Sequence, residues 1–233
     1  MDTIKRIALL VITAYISAVL LLSITGNHLE LSPRNLSAWS GSAFFINGNG
    51  YLATANHVVK GGKKFQIYYK HQFYPAYVVA TDPDHDVAIV KTTITPTTFL
   101  PLSNKDYQGE AIGVFGYPGG TLVLTLTTGT ATYGGLYQQN VYAHARSCHG
   151  NSGGPIISSH GTVVGQLNWG YTGMLNNLCT SEGGGPTIKY IIDLAARNNI
   201  QVAVVDDTTT YGFDSIYYTY KDSVVYIEGT DGL

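Results

Sequence analysis

Apolar residues in this chain fall into two kinds of run. The first is nearly unbroken: between Ile7 and Ile24 only Thr13, Tyr15, Ser17 and Ser23 are polar. At the rise of an α-helix such a run spans about 27 Å, close to the hydrocarbon thickness of a bilayer. Lys5 and Arg6 precede it, which keeps the N-terminus in the cytoplasm and puts everything from Asn27 outside. The exit Ser23-Ile24-Thr25-Gly26 is a poor cleavage site, so residues 1–26 read as a retained signal anchor in preference to a cleaved signal peptide.

The second kind of run is short, alternating and bounded by turn residues. Ala43–Ile46, Tyr51–Thr54, Phe65–Tyr69, Ala76–Ala80 and Val87–Lys91 predict one set of strands, with Asn47-Gly48-Asn49-Gly50 as a hairpin turn between the first two. Ala111–Phe115, Leu122–Thr130, Val141–Ala145, Pro155–Ser158 and Thr162–Leu167 predict a second set. Lys189–Asn198 has the spacing of a helix that buries Ile191, Ile192, Leu194 and Ala195. Val202–Val205, Ile216–Tyr220 and Val224–Glu228 read as three further strands; the pattern leaves open whether they join a barrel edge or meet a partner. Between anchor and strands, Asn27 to Ser40 is a polar stalk in which Asn35-Leu36-Ser37 fits a glycan acceptor.

Composition narrows the class. The chain has 233 residues, 45% of them hydrophobic, which suffices for a sizeable packed core. Only 12% are charged and the net charge is −2, so there is no electrostatic footprint for nucleic acid. Plentiful Tyr, Val, Ile and Thr, punctuated by 27 glycines, indicate an all-β body with tight turns. Two cysteines in an exported chain permit one disulfide, Cys148 to Cys179, or two buried thiols.

The candidate chemistry starts at Gly150-Asn151-Ser152-Gly153-Gly154-Pro155. A serine flanked by glycines on a tight turn exposes its hydroxyl, and the N–H groups of Gly150 and Ser152 can converge on an oxyanion. Serine alone is a poor nucleophile and needs a base. His57 stands at the end of the apolar stretch Leu52–Ala55. Asp86 abuts the buried run Val87–Val90 and can fix the tautomer of His57 through Nδ1–H. Asp82 and Asp84 are alternatives with turn-forming roles. The order His, Asp, Ser is one in which this triad occurs.

Gly41-Ser42-Ala43-Phe44 with Gly50-Tyr51-Leu52-Ala53-Thr54-Ala55-Asn56-His57-Val58-Val59 resembles the histidine block of the trypsin-like proteases, most of all their HtrA (Deg) branch. Thr81-Asp82-Pro83 through Asp86-Val87-Ala88-Ile89-Val90-Lys91 resembles the aspartate block, and Gly150–Pro155 the serine block. Phe115-Gly116-Tyr117-Pro118-Gly119 and Thr128-Gly129-Thr130 resemble intervening strands, so the likeness runs from about Gly41 to Asn199. It implies two antiparallel six-stranded β-barrels with the site between them and a C-terminal helix, here preceded by one N-terminal hydrophobic helix. The expected layout is residues 1–26 as anchor or signal, 27–40 as stalk and 41–199 as the peptidase domain, followed by a β extension over 200–233. Within the domain the barrels cover about 41–100 and 101–186, and the helix 187–199. The family hydrolyses peptide bonds through an acyl-enzyme and needs no metal or organic cofactor.

Further roles come from the resemblance alone. A cysteine four residues before the serine, pairing with one about thirty residues on, matches the animal trypsin pattern and implies the bridge Cys148–Cys179. Asn168-Trp169-Gly170 is similar to the trypsin strand whose backbone pairs with extended substrate. Arg146 aligns with the base of the primary pocket, which would favour an acidic residue at the cleaved position. Its alternatives are a solvent-facing guanidinium or neutralisation by Glu182, together with a small apolar preference. His144 and His149 read as structural or rim residues. Asn151 replaces the Asp that pairs with a new amino terminus in trypsin-style activation, and the residues after Asn199 are too few for a PDZ domain. The expected partners are a protein or peptide substrate and, through residues 7–24, a membrane. A catalytically silent peptide binder is the main rival. A lectin-like β-protein would need neither His57 nor Asp86, and a metallohydrolase lacks ligand spacing.

Overall fold

The computed structural model describes residues 39–103, 105, 108–134, 139–170 and 179–230. The hydrophobic run Ile7–Ile24, the acceptor Asn35 and all of the stalk except Trp39 and Ser40 lie outside them. Among the described residues no helix is long and apolar enough to cross a membrane.

Strands β1 (Trp39–Phe45), β2 (Tyr51–Ala55), β3 (Lys64–Tyr69), β4 (Gln72–Asp82) and β5 (Val87–Thr92) arise from the first predicted set. They form a closed barrel in the order β1-β15-β3-β4-β5-β2. The sixth member, β15 (Val224–Thr230), comes from the far end of the described chain. It lies antiparallel between β1 and β3, with Trp39 opposite Gly229, Phe44 opposite Val224 and Tyr68 opposite Tyr226. The place that the sequence pattern left open for Val224–Glu228 is therefore inside the first barrel, which is not built from one continuous stretch.

The second half has β6 (Ala111–Gly116), β7 (Thr125–Gly134), β8 (Asn140–His144), β9 (Ser147–Cys148), β10 (Pro155–Ser158) and β11 (Val163–Gln166), then β12 (Trp169–Gly170), β13 (Cys179–Thr180) and β14 (Gly183–Pro186). Seven of these make one sheet in the order β11-β10-β6-β7-β8-β14-β12, and an isolated bridge from Gly165 to Thr187 links β11 to the residue after β14. β9 and β13 pair separately.

Alternation of side chains explains why so many strands read as continuous apolar runs. Ala43, Phe45, Val225 and Ile227 point into the first barrel, whereas Phe44, Ile46, Val224 and Tyr226 face the seam between the barrels. That seam also receives Phe115, Ile157, Ile191, Leu194 and Ile216. Ile112, Val114, Val141, Ala143, Ile156 and Val164 fill the second barrel.

Among the described residues there are three short α-helices: α1 (Asn56–Val59), α2 (Lys189–Arg197) and α3 (Phe213–Tyr220). α2 is the helix expected from the sequence. The expected strand at Ile216–Tyr220 is instead α3, because Phe213, Ile216, Tyr217 and Tyr220 recur at helical spacing and pack on the seam. Val202–Val205 is no strand either. It passes beside the inter-barrel linker, held by Leu102 N–H to the Ala203 carbonyl and Val205 N–H to the Leu102 carbonyl, both 2.8 Å.

Candidate active site

β2 runs into α1, so His57 emerges at the barrel rim with its neighbours Val58 and Val59 buried beneath it. Asp86 sits on the turn before β5 with a left-handed backbone, φ 55°. Asp tolerates this region better than most residues, and the turn aims its carboxylate at α1 instead of along the strand. One oxygen accepts the backbone N–H of His57 at 2.8 Å, and the other lies 2.7 Å from His57 Nδ1. A carboxylate only accepts, so Nδ1 carries the proton and Nε2 of the neutral ring keeps its lone pair. Asn168 reaches the same carboxylate from the second barrel: its Nδ2 donates to Asp86 Oδ2 at 2.9 Å and to the Asp86 carbonyl at 2.7 Å.

Ser152 occupies the turn between β9 and β10, where Gly150 (φ 94°) and Gly153 (φ 86°) take up conformations other residues avoid. A Cβ on Gly153 would lie 2.3 Å from the Ser42 carbonyl oxygen. The peptide planes that carry the two candidate oxyanion donors are held by their carbonyls. His149 C=O accepts from Gly119 N–H at 2.6 Å, and Asn151 C=O from Gly154 N–H at 2.9 Å. Because a trans peptide is planar, this turns the N–H groups of Gly150 and Ser152 to the opposite side. Neither N–H has a hydrogen-bond partner among the described residues. Asn151 is buried, and its Oδ1 likewise has no partner among them.

His57 and Ser152 line one cleft of about 380 Å³, together with Ser147, Leu167, Trp169, Gly170 and Thr180 among others. β12, which carries Trp169 and Gly170, is the edge strand of the seven-stranded sheet among the described residues. Cys148 is bonded to Cys179, which ties the strand before Ser152 to the wall that bears Thr180. Arg146 is not brought to the cleft. Its side chain is exposed, whereas Ala145 and Ser147 on either side are buried, and Ser147 lines the cleft in its place. Glu182 pairs with His144 at 3.2 Å, not with Arg146, and Thr132 holds the other ring nitrogen at 3.0 Å.

Residues 41–165 match the family model described as a trypsin-like peptidase domain. The chain belongs to the trypsin-like peptidase family. Its likeness is to the HtrA branch: a probable periplasmic DegP-like serine endoprotease of Chlamydia pneumoniae is 30% identical over 78% of this chain and 38% of its own length. An uncharacterised protein, y4bJ, of Sinorhizobium fredii is 34% identical over 54% of this chain and 21% of its own. The chain thus spans about a fifth to two fifths of these curated relatives. Among solved structures, the HtrA-type protease AlgW with a decapeptide superposes with a TM-score of 0.61 at 22% identity, over 68% of this chain and 51% of that one.

Against this trypsin-like frame, sequence reasoning missed two features. Asn168, expected on the substrate strand, also braces Asp86. Ser42, given no role, donates its hydroxyl to the Gly150 carbonyl at 2.8 Å. The available signal was a hydroxyl immediately before the apolar stretch Ala43–Ile46, since a buried polar group needs a partner.

Proposed function

We propose that this chain is a serine endopeptidase in which Ser152 is the nucleophile, His57 the general base and Asp86 the group that orients it. The observation carrying the reading is the 2.7 Å contact of His57 Nδ1 with Asp86, in the cleft that also holds Ser152. Ser152 Oγ attacks the carbonyl carbon of the substrate while His57 Nε2 takes the hydroxyl proton. Negative charge gathers on the carbonyl oxygen, where the Gly150 and Ser152 N–H groups receive it; each such donor contributes about 2.7–4 kcal/mol to the transition state. The C–N bond then breaks, His57 returns the proton to the departing amine, and the acyl group stays on Ser152. Water, deprotonated by the same His57, attacks the ester and releases the acid.

The side chain before the cleaved bond enters the space beside Ser147, Leu167 and Thr180. Among the described residues no carboxylate, lysine or arginine lines that cleft, and we assign the space to a small uncharged side chain. Localisation outside the cytoplasm is supported by Lys5, Arg6 and the apolar run after them, and by the periplasmic assignment of the DegP-like relative. Residues 7–24 are assigned to the membrane, as anchor or as signal, on the same sequence grounds.

A fluorophosphonate probe tests the reading directly. The unaltered chain is expected to be labelled and Ser152→Ala to be inert. An unlabelled, folded wild type would instead favour the silent peptide binder. On a peptide library, cutting after small uncharged residues is expected, and Arg146→Ala should leave that preference unchanged. A preference for Asp or Glu that disappears in Arg146→Ala would overturn the pocket assignment.

A further inference from the structure

Glycine at position 150 solves one problem and creates another. Its φ of 94° suits the turn, but a glycine has no side chain to keep it there. Asn151 offers no ion pair, and its Oδ1 is buried without a partner among the described residues. The fixing contacts come from elsewhere. Ser42, fully buried on β1, donates its hydroxyl to the Gly150 carbonyl at 2.8 Å and accepts the Tyr117 N–H at 3.0 Å. Its backbone N–H donates to the Ser152 carbonyl at 2.8 Å, and its own carbonyl accepts from Thr54 Oγ1 at 2.8 Å.

Tyr117 carries the connection on. Its phenol donates to the carbonyl of Val224, the first residue of β15, at 3.1 Å. Its ring stands edge-on to Tyr226, with centroids 6.1 Å apart, and Tyr226 is the strand partner of Ser42. Burial, reinforced by the neighbouring Tyr217, Asp222 and Tyr68, pushes the Tyr117 hydroxyl far above its ordinary value, so it remains a donor at every working pH. The route Val224–Tyr117–Ser42–Gly150 is a chain of hydrogen bonds and covalent backbone, set in a packed seam that cannot shift gradually.

We propose that Ser42 and Tyr117 are positioning residues that make the oxyanion donors depend on the docked strand β15. β15 closes the first barrel and at the same time fixes Tyr117. Tyr117 fixes Ser42, and Ser42 holds the Gly150 carbonyl, which belongs to the peptide linking the two donor planes, while Gly119 and Gly154 hold those planes themselves. The inference rests on the serine endopeptidase reading and adds to it the element on which that reading's transition-state stabilisation depends.

The test uses the full chain, a chromogenic peptide ester and a peptidyl aldehyde whose hemiacetal places an oxyanion in the site. Ser42→Ala is expected to lower kcat by about 10–100-fold with KM changed less than about twofold, and to weaken the aldehyde in proportion to kcat. Tyr117→Phe keeps the ring and removes only the bond to Val224; a loss of about 3–10-fold in kcat is expected, again without KM. Because both act through one route, adding Tyr117→Phe to Ser42→Ala should lower kcat no further. Unchanged kcat in folded Ser42→Ala, or losses that multiply in the double variant, would overturn the relay. If Ser42→Ala does not fold, kcat and aldehyde affinity of Tyr117→Phe decide. A wild type that neither turns over nor reacts with fluorophosphonate removes the endopeptidase reading and this inference together; an active wild type with unaffected variants removes this inference alone.

Discussion

A carboxylate that must grip an imidazole and receive a donor from a second barrel cannot lie along a straight strand. The positive φ of Asp86 supplies the bend, and Asn168 supplies the donor at 2.9 Å. Removing that donor in Asn168→Ala is expected to slow fluorophosphonate labelling by about tenfold, the size of one lost hydrogen bond to a charged group. Asn168→Asp should slow it further, since a second carboxylate would face the first across that short distance. At Gly153 even alanine is excluded, with its Cβ 2.3 Å from the Ser42 carbonyl oxygen, so Gly153→Ala should lower the melting temperature sharply. The contact of His57 with Asp86 and the cleft that His57 shares with Ser152 were legible because each residue sits in a motif whose local chemistry is distinctive. Arg146 misled because alignment ignores side-chain direction. In the link between β8 and β9 Ala145 and Ser147 are buried, and the Arg146 side chain between them is exposed.

Among the elements, α2 is the one that steadies the aspartate turn. Arg197 in its last turn donates to Asp82 Oδ2 at 3.0 Å, His85 contacts the same oxygen at 3.1 Å, and the His85 ring stacks on Tyr190 with centroids 3.7 Å apart. Burial alone would raise the Asp82 carboxyl, but the hydrogen bonds from His85 and Arg197, with the charge of His85, outweigh it and hold the group below its ordinary value. A depressed carboxyl contributes stability that is full above its unfolded value near 4 and is lost as pH falls through the lower folded value. Asp82→Asn should therefore melt lower than wild type at neutral pH and converge with it as pH falls through the lowered value, as followed by thermal denaturation across the acid range. Arg197→Ala should cost no more than about 1 kcal/mol, because its head is largely in water. The helix α3 was read as a strand for a physical reason: Ile216-Tyr217-Tyr218-Thr219-Tyr220 is rich in strand-forming types, and only the longer spacing from Phe213 reveals the helical face.

For the molecule as a whole, closure of the first barrel depends on a strand far away in sequence. The alternation of Val224 to Glu228 announced a strand, but no local pattern names a partner some 185 residues distant. Ile227 is fully buried inside that barrel, so Ile227→Ala should destabilise the protein by about 2–5 kcal/mol in denaturant titration. The bridge Cys148–Cys179 closes 31 residues of chain, an unfolded-state constraint of about 3–4 kcal/mol.

The position of β15 also governs timing. Five strands of the first barrel lie within residues 39–92, and the sixth starts about 130 residues later. At elongation rates of about 5–20 residues per second, this gap is on the order of ten seconds of synthesis. During that time β1 and β3 lack their common neighbour, and His57 and Asp86 stand on an open, incomplete frame. The order of segments along the chain thus leaves the first barrel, and with it the frame that holds His57 and Asp86, unclosed until Val224–Thr230 has been synthesised.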